Sequence, residues 1–149
     1  MRAVVQRVAE ASVVVEEKTV GQIGAGLLVY VGVACEDTDE DAVLLAEKVA
    51  RLRIFPDADD KLNQDVSQAG GNVLVVSAFT VQADGRKGRR PSFDAAAPPQ
   101  FANELYNQFC TALAGFGLRV EQGVFRAVMD VRSFNAGPVC ILLDSKRVF

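Results

Sequence analysis

The chain reads as an α/β (α+β) fold: a single domain over residues 1–149, with two main helices on a curled, mostly antiparallel, barrel-like sheet. Three observations predict it. Short β-branched runs fill the first third, strand-like segments return in the last third, and two stretches between them carry helical periodicity. No internal repeat, low-complexity tract or linker divides the chain. At 149 residues, 50% hydrophobic and 23% charged, it is long enough to bury a core without staples.

Ala3-Val4-Val5, Ser12-Val13-Val14-Val15 and Thr19-Val20 are short strand candidates, followed by the longer run from Leu27 to Val33. Asp37-Thr38-Asp39-Glu40-Asp41 then supplies a cap and first-turn acids for a helix, in which Leu45, Val49 and Leu52 share one face. Pro56-Asp57-Ala58-Asp59-Asp60 and Gly70-Gly71-Asn72 mark turns. The run from Val73 to Val81 predicts a strand buried on both faces. Pro98-Pro99 opens a second helix whose Phe101, Leu105, Phe109 and Ala112 align, and Gly115 and Gly117 end it. Strands are expected around residues 118–122, 124–134 and 138–143, with Gly137-Pro138 breaking the last two apart.

Composition removes whole classes of chemistry. The chain has no histidine, so Ser-His-Asp and Cys-His nucleophile systems and His-ligated metals are impossible. Three cysteines, with no CxxC pair, fit neither a disulfide framework nor a zinc site, and Cys35 and Cys110 read as ordinary buried thiols. No phosphate-cradling GxxxxGK[ST] occurs, and neither cofactor nor metal is expected. The run from Gly26 to Ala34 is too short to span a bilayer, and the N-terminus lacks a signal-type apolar region; a reducing cytoplasm fits. A net charge of −3 argues against broad coating of nucleic acid, and no DNA partner is expected. Basic residues are dense in Arg86-Lys87-Gly88-Arg89-Arg90, a loop that either faces water or meets phosphates.

Six segments, MRAVVQRVAEASVVV, IGAGLLVYVGV, RIFPDADDKLNQDV, GGNVLVVSAFTV, RPSF and NAGPV, together resemble the D-aminoacyl-tRNA deacylases in order and spacing, from residue 1 to about 143. The resemblance implies a cytoplasmic homodimer that hydrolyses the ester between a D-amino acid and the tRNA 3′ end. Its two signatures are Ser-Gln-x-Thr and Asn-x-Gly-Pro-x-Thr. Ser77, Phe79 and Thr80 match the first and Asn135, Gly137 and Pro138 the second, whereas Ala78 replaces the glutamine and Cys140 the final threonine. Ala78 removes one amide from the pocket, and Cys140 is a poorer donor than threonine.

Read from residues alone, Gly137-Pro138 is a trans turn, since only about 5–6% of X-Pro bonds in folded proteins are cis. The resemblance implies a cis bond instead, carried by one subunit into the pocket of the other. Backbone carbonyls of Gly137 and Pro138 would then face the substrate's α-carbon and clash with an L side chain, leaving D-aminoacyl and glycyl esters to pass. The 77–80 segment is the expected oxyanion site, with the Phe79 and Thr80 amides favoured, and the resemblance implies assistance from the 2′-hydroxyl of the terminal adenosine, with water attacking. Thr80 has no evident base to make it a nucleophile and is expected to position substrate; Ser77 either binds substrate or satisfies strand backbone. Alternation along a continuing strand would turn the Phe79 ring into the core, while Phe93 is a core anchor or a base-stacking ring. Arg86, Lys87, Arg89 and Arg90 are the RNA-contact candidates. Given Ala78, the alternatives are a tRNA-binding relative with weak or no catalysis and a deacylase of relaxed chirality.

Overall fold

Strand β1 (Arg2–Val15) organises the sheet. The two valine runs predicted as separate strands are the ends of this single one. Its first half pairs antiparallel with β3 (Gly26–Gly32) and its second half with β2 (Lys18–Ile23). The computed structural model describes residues 1–148, and Phe149 lies outside the described residues. Helix α1 (Asp39–Ala50) starts where predicted, with Thr38 as N-cap and three acids in its first turn. The Asp41 carboxylate reaches back to accept from the Thr38 N–H at 2.9 Å.

A small hairpin, β4 (Phe55–Pro56) with β5 (Leu62–Gln64), leads to β6 (Asn72–Ser77), which pairs parallel with β3. A 3-10 helix (Phe79–Gln82) and α2 (Pro99–Gly115) follow. Then β7 (Val120–Gln122) adds parallel to β6, and β8 (Asp130–Asp144) returns antiparallel along the free edge of β1. The ends of the sheet path meet: a Cβ on Gly21 of β2 would lie 2.7 Å from the Gln122 carbonyl oxygen of β7. Only glycine permits that approach, and it brings the curled sheet close to a barrel.

Alternation on β3 and β6 explains their near-continuous apolar runs. Leu27, Val29, Val73 and Val75 face α1 and α2, packing against Leu45, Val49, Leu105, Phe109 and Leu113. Leu28, Leu74 and Val76 point the other way, into the curl, with Val8, Val13 and Ile23. Strands buried on both faces carry no polar alternation to read. Within this mostly antiparallel sheet the pairings of β6 with β3 and with β7 are parallel, and each is reached by a crossover through one α-helix. No helix of the described residues is long and apolar enough to cross a membrane.

The last third departs furthest from expectation. Residues 123–129 are not strand, and β8 runs unbroken through Gly137-Pro138. The ladder absorbs the pair: Cys140 sits opposite Gln6 and Asn135 opposite Val8, so residues 136–139 bulge out opposite Arg7 alone. Proline's missing N–H falls where no ladder partner is needed.

Candidate functional site

Strand β6 ends at Ser77, and the way it ends builds a cavity. The Ala78 N–H still donates to the Val31 carbonyl at 2.8 Å, but the chain then turns into the 3-10 helix. Gln82, buried, donates from Nε2 to the Gly32 carbonyl at 2.7 Å and fastens the helix to β3. Gly32 is required for this seat, because a Cβ there would come within 3.0 Å of the Ala78 oxygen and the Val81 Cβ. Phe79 and Thr80 are the first two residues of the helix, so their N–H groups have no acceptor within it, and no side chain caps them.

These residues border a cavity of about 740 Å³, lined also by Tyr30, Phe93, Phe125, Arg126, Ala127 and Met129. Phe79 corrects the sequence reading: its ring is 60% exposed and meets Phe93 edge-on, centroids 5.0 Å apart, because the 3-10 turn breaks the strand's alternation. Ser77 is partly buried, Thr80 is exposed, and both line the cavity. Burial raises the phenol pKa of Tyr30, which keeps it a neutral hydroxyl at neutral pH. Among the described lining residues there is no carboxylate, lysine or cysteine, so no side chain there can take a proton from Thr80. No cluster of described residues is arranged to hold a metal ion.

The Asn135–Val139 bulge lies outside that cavity's lining. Asn135 is spent on the bulge itself: its Oδ1 accepts from the Val139 N–H at 2.8 Å and its Nδ2 donates to the Val139 carbonyl at 3.1 Å. Arg7, which sequence reading passed over, donates from Nε to the Ala136 carbonyl at 2.9 Å and from Nη1 to the Ile54 carbonyl at 2.7 Å. The Gly137-Pro138 peptide is cis, and both residues are exposed. Gly137 has φ 141, a value that favours glycine, and a Cβ on it would fall 2.7 Å from Arg7 Nη2. Beside the bulge, Phe134 and Leu142 are 66% and 59% exposed, and among the described residues β8 pairs with no strand on its outer edge.

The basic loop closes on itself through paired backbone bonds between Asp84 and Ser92, at 2.8 and 2.9 Å, and so projects between the 3-10 helix and Phe93 at the cavity rim. Arg86 forks onto Asp84 at 2.9 and 2.6 Å, which holds that carboxyl well below the usual carboxylate range. Lys87, Arg89 and Arg90 are exposed and have no acidic partner among the described residues. Cys110 is buried, its thiol pushed up to about 12 by desolvation, whereas Cys35 is exposed in the turn after β3, against expectation. Cys140 is exposed and only loosely met by Gln6 Nε2, 4.0 Å from its sulfur.

Residues 4–144 match the family described as D-Tyr-tRNA(Tyr) deacylase. A D-aminoacyl-tRNA deacylase of Thermotoga petrophila is 58% identical over 149 residues, covering 100% of both chains. The solved structure of a c-Myc DNA unwinding element binding protein superposes with TM-score 0.91 at 37% identity, covering 97% of this chain and 98% of that one. A probable eukaryotic D-amino acid tRNA deacylase shares the fold, with TM-score 0.82 at 19% identity over 96% of this chain and 98% of that one.

Proposed function

The chain belongs to the D-Tyr-tRNA(Tyr) deacylase family, and on that premise we propose that it hydrolyses the ester joining a D-amino acid to the 3′ end of tRNA, as a cytoplasmic homodimer. The observation that carries this reading is the full-length relatedness joined to a cavity that offers orphan backbone amides and no side-chain base.

The chemistry follows from what the cavity holds. Attack on the ester carbonyl develops an oxyanion, and the Phe79 and Thr80 N–H groups are preorganised donors for it. Removal of one such donor typically costs about 10²–10³ in rate, so this pair would supply a large part of the acceleration. As the attacking water bonds to the carbonyl carbon and the acyl C–O3′ bond breaks, its proton passes through the vicinal 2′-hydroxyl to the leaving 3′-oxygen, because no described lining side chain accepts one. Thr80 and Ser77 position the ester with their hydroxyls.

Selection by handedness is assigned to Gly137 and Pro138 of the partner subunit's bulge, whose backbone would stand where an L side chain points. An exposed bulge clipped by Asn135 and Arg7, flanked by exposed Phe134 and Leu142 on a strand whose outer edge has no partner strand among the described residues, supports this arrangement. Glycyl esters have no side chain to clash and would pass. Lys87, Arg89 and Arg90 at the rim would meet phosphates of the acceptor end. DNA is not proposed as a ligand: the chain's net charge of −3 leaves too few cations to coat a duplex.

Deacylation of D-tyrosyl-, L-tyrosyl- and glycyl-tRNA by the purified dimer tests the reading. Release of D-tyrosine and glycine with L-tyrosine retained is expected. Tight tRNA binding without release of any amino acid would identify a non-catalytic relative, and equal release of D- and L-tyrosine a deacylase of relaxed chirality.

A further inference from the structure

The cavity carries one charge. Of the described residues that line it, only Arg126 is ionised; the rest are apolar or bear neutral hydroxyls. Its guanidinium is exposed, and no carboxylate or other acceptor is engaged with it among the described residues. The backbone there is also unusual. Arg126 has φ 63, in the left-handed region that favours glycine, inside a turn closed by the Ala127 N–H on the Val124 carbonyl at 3.2 Å. The turn stands on a fixed base: Phe125 packs on the buried Tyr106, ring centroids 6.0 Å apart, and Met129 packs on the core inside the curl. A long cation is thus held at the cavity by a backbone conformation that glycine would adopt at lower cost.

We infer that Arg126 grips a phosphodiester of the substrate's 3′ end and thereby orients the ester in the cavity. This rests on the deacylase reading proposed above. In such a substrate the reacting carbonyl and the adenine are neutral and the α-amino group is cationic. The phosphodiesters are its only anions, and a planar guanidinium pairs with them through two parallel hydrogen bonds. The same charge repels the α-ammonium, so the amino acid is directed away from Arg126 and the nucleotide toward it. Charge density in the sequence points to the Arg86–Arg90 loop as the main candidate for phosphate contacts. Arg126 sits in no basic cluster, which is why charge density in the sequence does not find it.

The test compares two small substrates, D-tyrosyl-adenosine, which has no phosphate, and the D-tyrosyl ester of the dinucleotide CpA, which has one. The native dimer is expected to favour the dinucleotide by about ten-fold or more in kcat/KM, the size of one charge-assisted contact. Arg126→Gly, which suits φ 63, should bring that ratio close to one and raise KM for the dinucleotide, and Arg126→Lys should restore part of it. The salt slope for the dinucleotide should also fall by about 0.7 in Arg126→Gly. An unchanged dinucleotide preference in Arg126→Gly overturns the inference. So does a weakened dimer at unchanged preference, since Arg126 would then serve the subunit contact. Failure of the native protein to cleave either ester would bring down the deacylase reading itself, and this inference with it.

Discussion

The segment 77–82 and the bulge 135–139 are both interruptions of a strand, and they spend their polar groups in opposite ways. At 77–82 the strand gives way to a 3-10 helix whose first two N–H groups are left without acceptors on a rigid seat made by Gly32 and Gln82. At 135–139 the strand continues, and Asn135, Val139, Ala136 and Arg7 consume one another's hydrogen bonds. Reactive capacity is concentrated in the first, shape in the second. Neither contributes to the other's surroundings within one chain, because the bulge is absent from the cavity lining. The comparison separates a place for chemistry from a place for shape, and the proposed reading joins the two through a second copy of the chain.

The largest expected effect therefore comes from separating the copies. Phe134→Asp places a charge in the exposed apolar stretch of β8 and should turn the dimer into monomers in sedimentation. Deacylation should fall by at least about a hundred-fold, the weight of a central interface anchor. A fully active monomer would show that the cavity needs no partner.

Gly137→Ala comes next. Its Cβ would lie 2.7 Å from Arg7 Nη2 and its φ disfavours any side chain, so the bulge or the Arg7 guanidinium that clips it has to shift. A rearrangement of about 1–3 kcal/mol corresponds to a fall of roughly five- to a hundred-fold in the D-over-L preference, measured as kcat/KM on the two tyrosyl-tRNAs. Should the variant keep native selectivity at native stability, the bulge is not the selecting element.

How far all this was legible in the sequence depends on how local each cause is. Helices α1 and α2 could be read from their own caps and periodicity, and β3 and β6 from runs buried on both faces. The bulge could not: it depends on Arg7, far away in the chain, whose guanidinium fills the gap opposite residues 136–139. Phe79 escapes the strand's alternation because period two holds only while the strand lasts, and the Gly32–Gln82 contact that ends it is tertiary. Tyr30 and Arg126 reach the cavity from separate elements, with no spacing between them to form a motif.

Arg7→Met sharpens the comparison at a smaller scale. It leaves the carbonyls of Ala136 and Ile54 without their donor, for a stability loss of about 1–3 kcal/mol by chemical denaturation. Selectivity should decline with it while turnover of the D-ester is retained, because Arg7 touches the bulge and not the cavity. The smallest effect is expected from Thr80→Ala. If Thr80 only positions the ester, kcat should drop by about ten-fold or less, the worth of one neutral hydrogen bond. Loss of all turnover in a folded Thr80→Ala protein would make Thr80 the nucleophile after all.

The most direct test of a site shared between subunits is a mixed dimer. One subunit carries Ala127→Trp, which fills the cavity but leaves the bulge intact; the other carries Gly137→Ala, with an open cavity and an altered bulge. If the bulge acts across the interface, the one open cavity is faced by a native bulge, and the mixed dimer should reject L-tyrosyl-tRNA as the native protein does. If the bulge acts within its own chain, the open cavity has only the altered one, and the mixed dimer should cleave L-tyrosyl-tRNA at about half the rate of the Gly137→Ala homodimer, one open cavity against two, contradicting the account.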